Sequence, residues 1–191
     1  PKRIKDVVGK ELGKIDILVN NAGGRRGGPG FDETSENEFR ENFELNLFGA
    51  MDLIRLVLPD MKQNQWGRIV NIGGLAARNA GTISGMRNLA LVHLTKTLSN
   101  ELGQFGITAN IIHPGATRTE RTQPMQENIA QTQGLSVEDI EREATKFIDI
   151  QRMVEAEEIA SLAVFLCSPR ASAITGESIA AGGGVGSAVF S

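Results

Sequence analysis

The side chains able to do chemistry gather after two short apolar runs. Arg68–Ile72 leads into Gly73-Gly74, with Arg78 just beyond, and Thr108–His113 leads into Pro114-Gly115, with Thr117, Arg118, Thr119 and Arg121 following. His113 is an imidazole able to move a proton near neutral pH, although a lone His before Pro-Gly is read first as structural. Arg25 and Arg26 follow an earlier apolar run, 16–20. With Arg78, Arg118 and Arg121 they make five guanidinium forks suited to carboxylate or phosphate. They predict an anionic ligand, with ordinary solvated loop charge as the competing reading. Cys167, the single cysteine, ends an apolar helical run (VFLCSP) and reads as a structural thiol. His93 lies within the stripe LALVHLTKTL and reads as a packing or subunit-contact residue. With two histidines, no cysteine pair and no H-E-x-x-H, no built-in metal site is expected.

These groups need a frame. Ile69, Val70 and Ile72 form the β-branched run of a buried parallel strand. A long helix with an apolar stripe is expected from about Ile83 to Gln104, then a strand over Thr108–His113. Strand, helix and strand make one βαβ unit, and ligands of such sheets sit beyond the strand carboxyl ends. Upstream, the spacing predicts a helix over Pro1–Lys14, a strand over Asp16–Asn20, and a loop over Gly23–Gly30. A helix over Thr34–Met61 follows, its start capped by Thr34-Ser35 with Glu36 and Glu38. Downstream, two polar helices, Glu120–Gln133 and Val137–Ile150, read as a surface lid. A helix over Glu155–Leu166 and a strand over Ser178–Ala181 complete the chain, the strand ending in Gly182-Gly183-Gly184. The alternation predicts an α/β fold, one doubly wound, Rossmann-like parallel sheet over 1–191 with a lid at 120–150.

Composition narrows the function. Forty per cent of the 191 residues are apolar, which suits one globular domain. No apolar run reaches the length of a membrane span, and the charged N-terminus is not a signal peptide. A cytoplasmic location is expected. Twenty basic against 23 acidic residues give a net charge of −3, which argues against nucleic acid or an anionic membrane as partner.

DILVNNAG, ELNLFGAMDLIRLVLPDM, GRIVNI, LTKTLSNELGQFGITANIIHPG and EEIASLAVFLCSPRASAITGESI resemble, in order, the short-chain dehydrogenase/reductase family. The resemblance implies a Rossmann-type sheet, NAD or NADP as cofactor, and hydride transfer between the nicotinamide and a carbonyl or alcohol. It also implies that the sequence starts near the helix before the family's fourth strand, so the fold is expected to be N-terminally incomplete. Roughly the first third, with its TGxxxGxG pyrophosphate turn, would lie outside. The family's NNAG falls on Asn20, Asn21, Ala22 and Gly23, beside the cofactor. Its PGxxxT stretch falls on Pro114–Thr119, which implies cofactor contacts from Pro114, Gly115, Thr117 and Thr119.

At the catalytic positions the types change. Gly73-Gly74 stands where the family has Ser, Ser84 at the Tyr of YxxxK, and Asn88 at its Lys, and the sequence contains no tyrosine. Asn46 matches the family's helix-bending Asn. Asn46, Ser84 and Asn88 are therefore the candidate catalytic residues, with Asn46 also open to a purely structural reading. The leading expectation is an oxidoreductase acting on a small molecule. The alternative is a non-catalytic scaffold or subunit-pairing protein. Leu53, Val57, Leu94 and Leu98 are candidate contacts for a homodimer or homotetramer.

Overall fold

The computed structural model describes residues 2–11, 13–23, 31–78 and 83–186. Helix α1 (Lys2–Glu11) leads to strand β1 (Ile17–Asn20). The next helix starts as expected. Ser35 Oγ accepts from the Glu38 N–H, and the Glu38 carboxylate accepts from the Ser35 N–H, closing a capping box. The run expected as one helix is interrupted, however. Helix α2 (Glu36–Phe43) passes into a π turn at Glu44–Phe48 before α3 (Gly49–Asn64). Asn46 sits in the middle of that turn, and π turns often mark functional positions. Pro59 lies inside α3 without ending it.

Strand β2 (Gly67–Ile72), a short 3₁₀ turn at Leu75–Arg78, helix α4 (Ile83–Leu102) and strand β3 (Ile107–Pro114) form the expected central unit. The rest of the chain adds the lid helices α5 (Thr122–Gln133) and α6 (Val137–Thr145), helix α7 (Ala156–Cys167) and strand β6 (Ser178–Ala181). A small parallel pairing of β4 (Thr117–Arg118) with β5 (Val154–Glu155), absent from the sequence expectation, brackets the lid.

Strands β1, β2, β3 and β6 form a four-stranded sheet in that order, parallel throughout. Successive strand residues point to opposite faces, and both faces are covered. Ile69, Ile107 and Ala109 pack with Ile54, Val57, Met61, Leu98 and Leu102 of α3 and α4. Val70 and Ile112 pack on the other side with Ile159 and Leu166 of α7. Two of the expected subunit contacts, Val57 and Leu98, are thus core residues, 2% and 6% exposed. Their apolar surface is already used by the sheet. Among the described residues, the large apolar side chains that α4 and the π turn present outward include Leu45, Phe48, Met86 and Leu89. The lid is not wholly superficial either: Gln126, Ala130, Ile140 and Thr145 are buried. Cys167 is half-buried, and burial raises its pKa, so the thiol is not activated.

Candidate active site at the strand carboxyl ends

Strands β2 and β3 are hydrogen-bonded neighbours, so Gly73-Gly74 and Pro114-Gly115 leave the sheet side by side. The first turn is packed shut. His113, wholly buried, places Nδ1 against Gly74, 3.1 Å from its N–H and 3.0 Å from its carbonyl. It accepts from the former or donates to the latter according to tautomer. Its Nε2 lies 3.1 Å from Ser178 Oγ on β6. Burial lowers the His113 pKa; the hydrogen bond to Gly74 opposes that shift and the nearby Arg78 adds to it. Both ring nitrogens are occupied within the fold, so His113 acts as a structural clamp across β2, β3 and β6 rather than a substitute acid.

Asn88, 4% exposed, closes the turn from the other side by donating to the Gly74 carbonyl at 3.2 Å. Serine side chains would therefore meet unequal neighbours here. A Cβ on Gly73 would stand 2.8 Å from His113 Nδ1, whereas one on Gly74 would meet only Asn88 Nδ2 at 3.1 Å. Ser84 lies half-buried in the first turn of α4, one turn before Asn88.

Asn46 is buried, and its Nδ2 donates to the Asn42 carbonyl. Its Oδ1 faces the turn after β1: a Cβ on Gly23 would come within 2.5 Å of it. Asn42 in turn accepts from Arg87 Nη1 at 3.0 Å, tying the π-turn helix to α4. Arg87 is a permanent cation beside the candidate residues Ser84 and Asn88, and no sequence motif marked it.

The NNAG residues are held by a polar chain through the sheet. Asn20 Nδ2 donates to Asn71 Oδ1, Asn71 to Thr95 Oγ1, and Thr95 to the Leu91 carbonyl. Asn20 Oδ1 is buried with no hydrogen-bond partner among the described residues. Asn21, Ala22 and Gly23 beyond it are exposed.

The second turn is open on two sides. On one side a cavity of about 450 Å³ gathers Asn21, Pro114, Thr117 and Thr119, with Ile72 and the α7 residues Ile159, Ala160, Ala163 and Val164 as an apolar wall. Thr117 donates to the Gly115 carbonyl at 3.1 Å, and the Thr119 N–H donates to Thr122 Oγ1 at 2.9 Å, so both are fixed in place. Gly115 permits this arrangement, since a Cβ there would meet Gly182 Cα at 2.7 Å. Four of the eight expected cofactor residues thus line one cavity. Its polar edge and flat apolar wall fit the carboxamide and ring of a nicotinamide.

The arginine expectation needs correction. Arg118 is bound by both Glu141 and Glu155, with Glu141 the stronger cause of its raised pKa. Its charge is answered within the fold by two carboxylates, which an anionic ligand would have to displace. Arg78 donates to the Ser178 carbonyl. Arg121 is exposed at the start of α5. Arg25 and Arg26 lie outside the described residues.

The chain resembles known proteins over nearly its whole length. A family model described as enoyl-(acyl carrier protein) reductase matches residues 2–186. The chain is 35% identical over 184 residues to the 7alpha-hydroxysteroid dehydrogenase of Escherichia coli K12, covering 95% of this chain and 68% of that protein. It is 35% identical over 178 residues to the NADPH-dependent reductase BacG of Bacillus subtilis, covering 91% and 68%. The solved structure of YwfH, an NADPH-dependent reductase involved in bacilysin biosynthesis, superposes with a TM-score of 0.87 at 32% identity, over 98% of this chain and 73% of that one. L-sorbose reductase from Gluconobacter frateurii, complexed with NADPH and L-sorbose, superposes with a TM-score of 0.89 at 26% identity, over 96% and 71%.

Proposed function

The chain belongs to the short-chain dehydrogenase/reductase family, and from that premise we propose that it holds the nicotinamide end of NAD(P) between the turns that follow β1 and β3 and works as a slow carbonyl reductase. Its class of chemistry is NAD(P)-dependent oxidoreduction, and the family match favours this over a scaffolding role. The observation that carries the proposal is the single cavity in which Asn21, Pro114, Thr117 and Thr119 meet from two distant parts of the chain. When bound, the nicotinamide supplies the hydride for a carbonyl carbon.

The chain's own residues do the rest. Asn21, Thr117 and Thr119 would hold the carboxamide end, and Gly115 lets the backbone there pack against Gly182. Ile72 and the α7 wall exclude water from one side of the ring. Asn20, braced through Asn71 and Thr95, fixes the turn that carries Asn21, Ala22 and Gly23. Asn46 steadies the same turn at Gly23. Asn88 holds the Gly74 carbonyl. Ser84, in the first turn of α4, would be the hydroxyl that donates to the substrate oxygen, its proton replaced from water. An alcohol is a weak acid, and a tuned acid is worth about 10²–10⁴-fold in rate. With no tyrosine in the chain, slow turnover follows. Pairing as a homodimer or homotetramer would use the exposed Leu45, Phe48, Met86 and Leu89.

Fluorescence titration of the chain with NADPH and with NADH tests the site. Saturable binding weakened roughly five- to tenfold by Thr119→Val is expected for one lost hydrogen bond of about 1 kcal/mol. Absence of binding by either nucleotide rejects the site. Turnover unchanged in Ser84→Ala removes Ser84 from the reaction.

A further inference from the structure

A second cavity adjoins the first. It encloses about 420 Å³ and shares Pro114 with the cofactor cavity, on the side facing the lid. Leu75 and Ala76 after β2, Ala116 after β3, and Ala144, Phe147 and Ile148 from the lid line it. Gly115 and Val185 complete the lining, so no ionisable side chain contributes. The volume is that of a small-molecule site, and the position beyond two parallel strand ends is where such sheets take ligands.

We propose that the substrate is a neutral, largely apolar ketone or alcohol seated in this second cavity. The proposal rests on the oxidoreductase reading above and adds the substrate class to it. Electrostatics carries the argument first. The basic side chains on the elements that line it are engaged elsewhere: Arg142 pairs with Asp139 and Lys146 with Glu143 on the lid, Arg118 pairs with Glu141 and Glu155, and Arg78 donates to the Ser178 carbonyl. A carboxylate entering the cavity would lose its hydration with no cation among the lining residues to replace it. Apolar surface carries it second. Phe147, on the lid rim of this cavity, is 76% exposed, and a hydrophobic substrate would cover it. The floor is also rigid. Leu75 sits where a side chain on Gly182 would be, its Cδ1 2.3 Å from that Cβ position, and the Ile150 N–H donates to the Gly183 carbonyl at 3.2 Å. A preformed apolar slot therefore stands next to the hydride-transfer position through the shared Pro114.

Calorimetric titration of the 191-residue chain tests this without turnover. Cyclohexanone, 2-decalone and 2-oxoglutarate serve as small neutral, larger neutral and dianionic probes. NADPH binding is measured in parallel. From about fourfold in affinity per buried methylene, 2-decalone should bind at least tenfold tighter than cyclohexanone. Ala144→Phe, which fills the cavity, should weaken 2-decalone at least tenfold and leave NADPH within twofold. Phe147→Ala, at an exposed position that folding tolerates, should weaken 2-decalone severalfold. Binding of 2-oxoglutarate as tight as that of 2-decalone overturns the proposal. So does 2-decalone binding that is absent, or that ignores both variants. If 2-decalone behaves as expected but NADPH does not bind, the apolar site stands and the cofactor site falls.

Discussion

Two turns leave adjacent strands of one sheet and meet opposite fates. Gly73-Gly74 after β2 is closed by His113 from within the sheet and by Asn88 from α4. Pro114-Gly115 after β3 has a cavity on each side. Each turn depends on glycine, but for different reasons. At Gly73 the missing side chain makes room for a ring; at Gly115 it makes room for another stretch of backbone. The contrast favours the second turn as the place where the proposed cofactor site lies, with the first turn packed against it. In the family's pattern both turns carry working groups. Here the first turn carries two glycines, and the His113 ring from β3 packs against it.

The largest test of that contrast is a methyl group at Gly115. In Gly115→Ala the new Cβ would lie 2.7 Å from Gly182 Cα and 3.2 Å from Leu75 Cδ1. Backbone has to move, so a loss of about 1–3 kcal/mol is expected, read as a lower urea midpoint, with NADPH binding weakened as well. Gly74→Ala meets only the movable Asn88 amide and should stay within about 1 kcal/mol. Equal losses at the two positions would erase the distinction.

Next in size is the restoration of the family's serine. Gly73→Ser drives a side chain into the buried His113 ring and is expected to cost about 1–3 kcal/mol by overpacking. Gly74→Ser should be tolerated, since an amide can rotate aside. Chemical denaturation of the two variants side by side decides the order. If Gly73→Ser is the milder change, His113 is not the plug described.

The His113 clamp also has a pH signature. Its folded pKa lies below the ordinary value of 6.5, chiefly through burial. Below 6.5 the unfolded chain takes up the proton before the folded one does, so stability falls as pH drops from 6.5 toward the folded value. It is complete above 6.5. The slope contributed by one such group reaches at most about 1.4 kcal/mol per pH unit. Denaturation midpoints between pH 7 and 5 should show that slope in the native chain and a flatter one in His113→Leu. Identical slopes would mean that His113 is not buried neutral.

How far the sequence foretold this depends on how local each signal is. Strand β6 falls on the expected residues, and β2, β3 and α4 agree within two residues, because apolar runs and helical stripes are written in neighbouring positions. The capping box at Ser35 and Glu38 was legible for the same reason. The π turn at Glu44–Phe48 was not, since an extra residue in one helical turn leaves the apolar spacing almost unchanged. The pairing of Thr117–Arg118 with Val154–Glu155 joins two short segments across the whole lid, and nothing local announces it. The site shows the same divide. Pro114, Thr117 and Thr119 were found by motif and do share a cavity with Asn21. The role of His113, the Asn42–Arg87 link and the packing of Gly182 under Leu75 depend on partners far off in sequence. Arg118 illustrates the cost most directly: its position suggested an anion site, but Glu141 and Glu155 reach it only after folding.

Arg118 therefore supplies the smallest expected effect, and a pointed one. Its side chain is 39% exposed, and exposed pairs contribute little once solvent and salt screen them. Arg118→Ala should change stability by about 0–1 kcal/mol, less at high salt, as measured by urea denaturation at two ionic strengths. If the carboxylates keep Arg118 to themselves, NADPH affinity in the variant stays within twofold of the native chain. A tenfold loss would instead show the guanidinium leaving Glu141 and Glu155 for a cofactor phosphate. The second turn would then be a charged site as well as an apolar one, and its contrast with Gly73-Gly74 would have to be redrawn around Arg118.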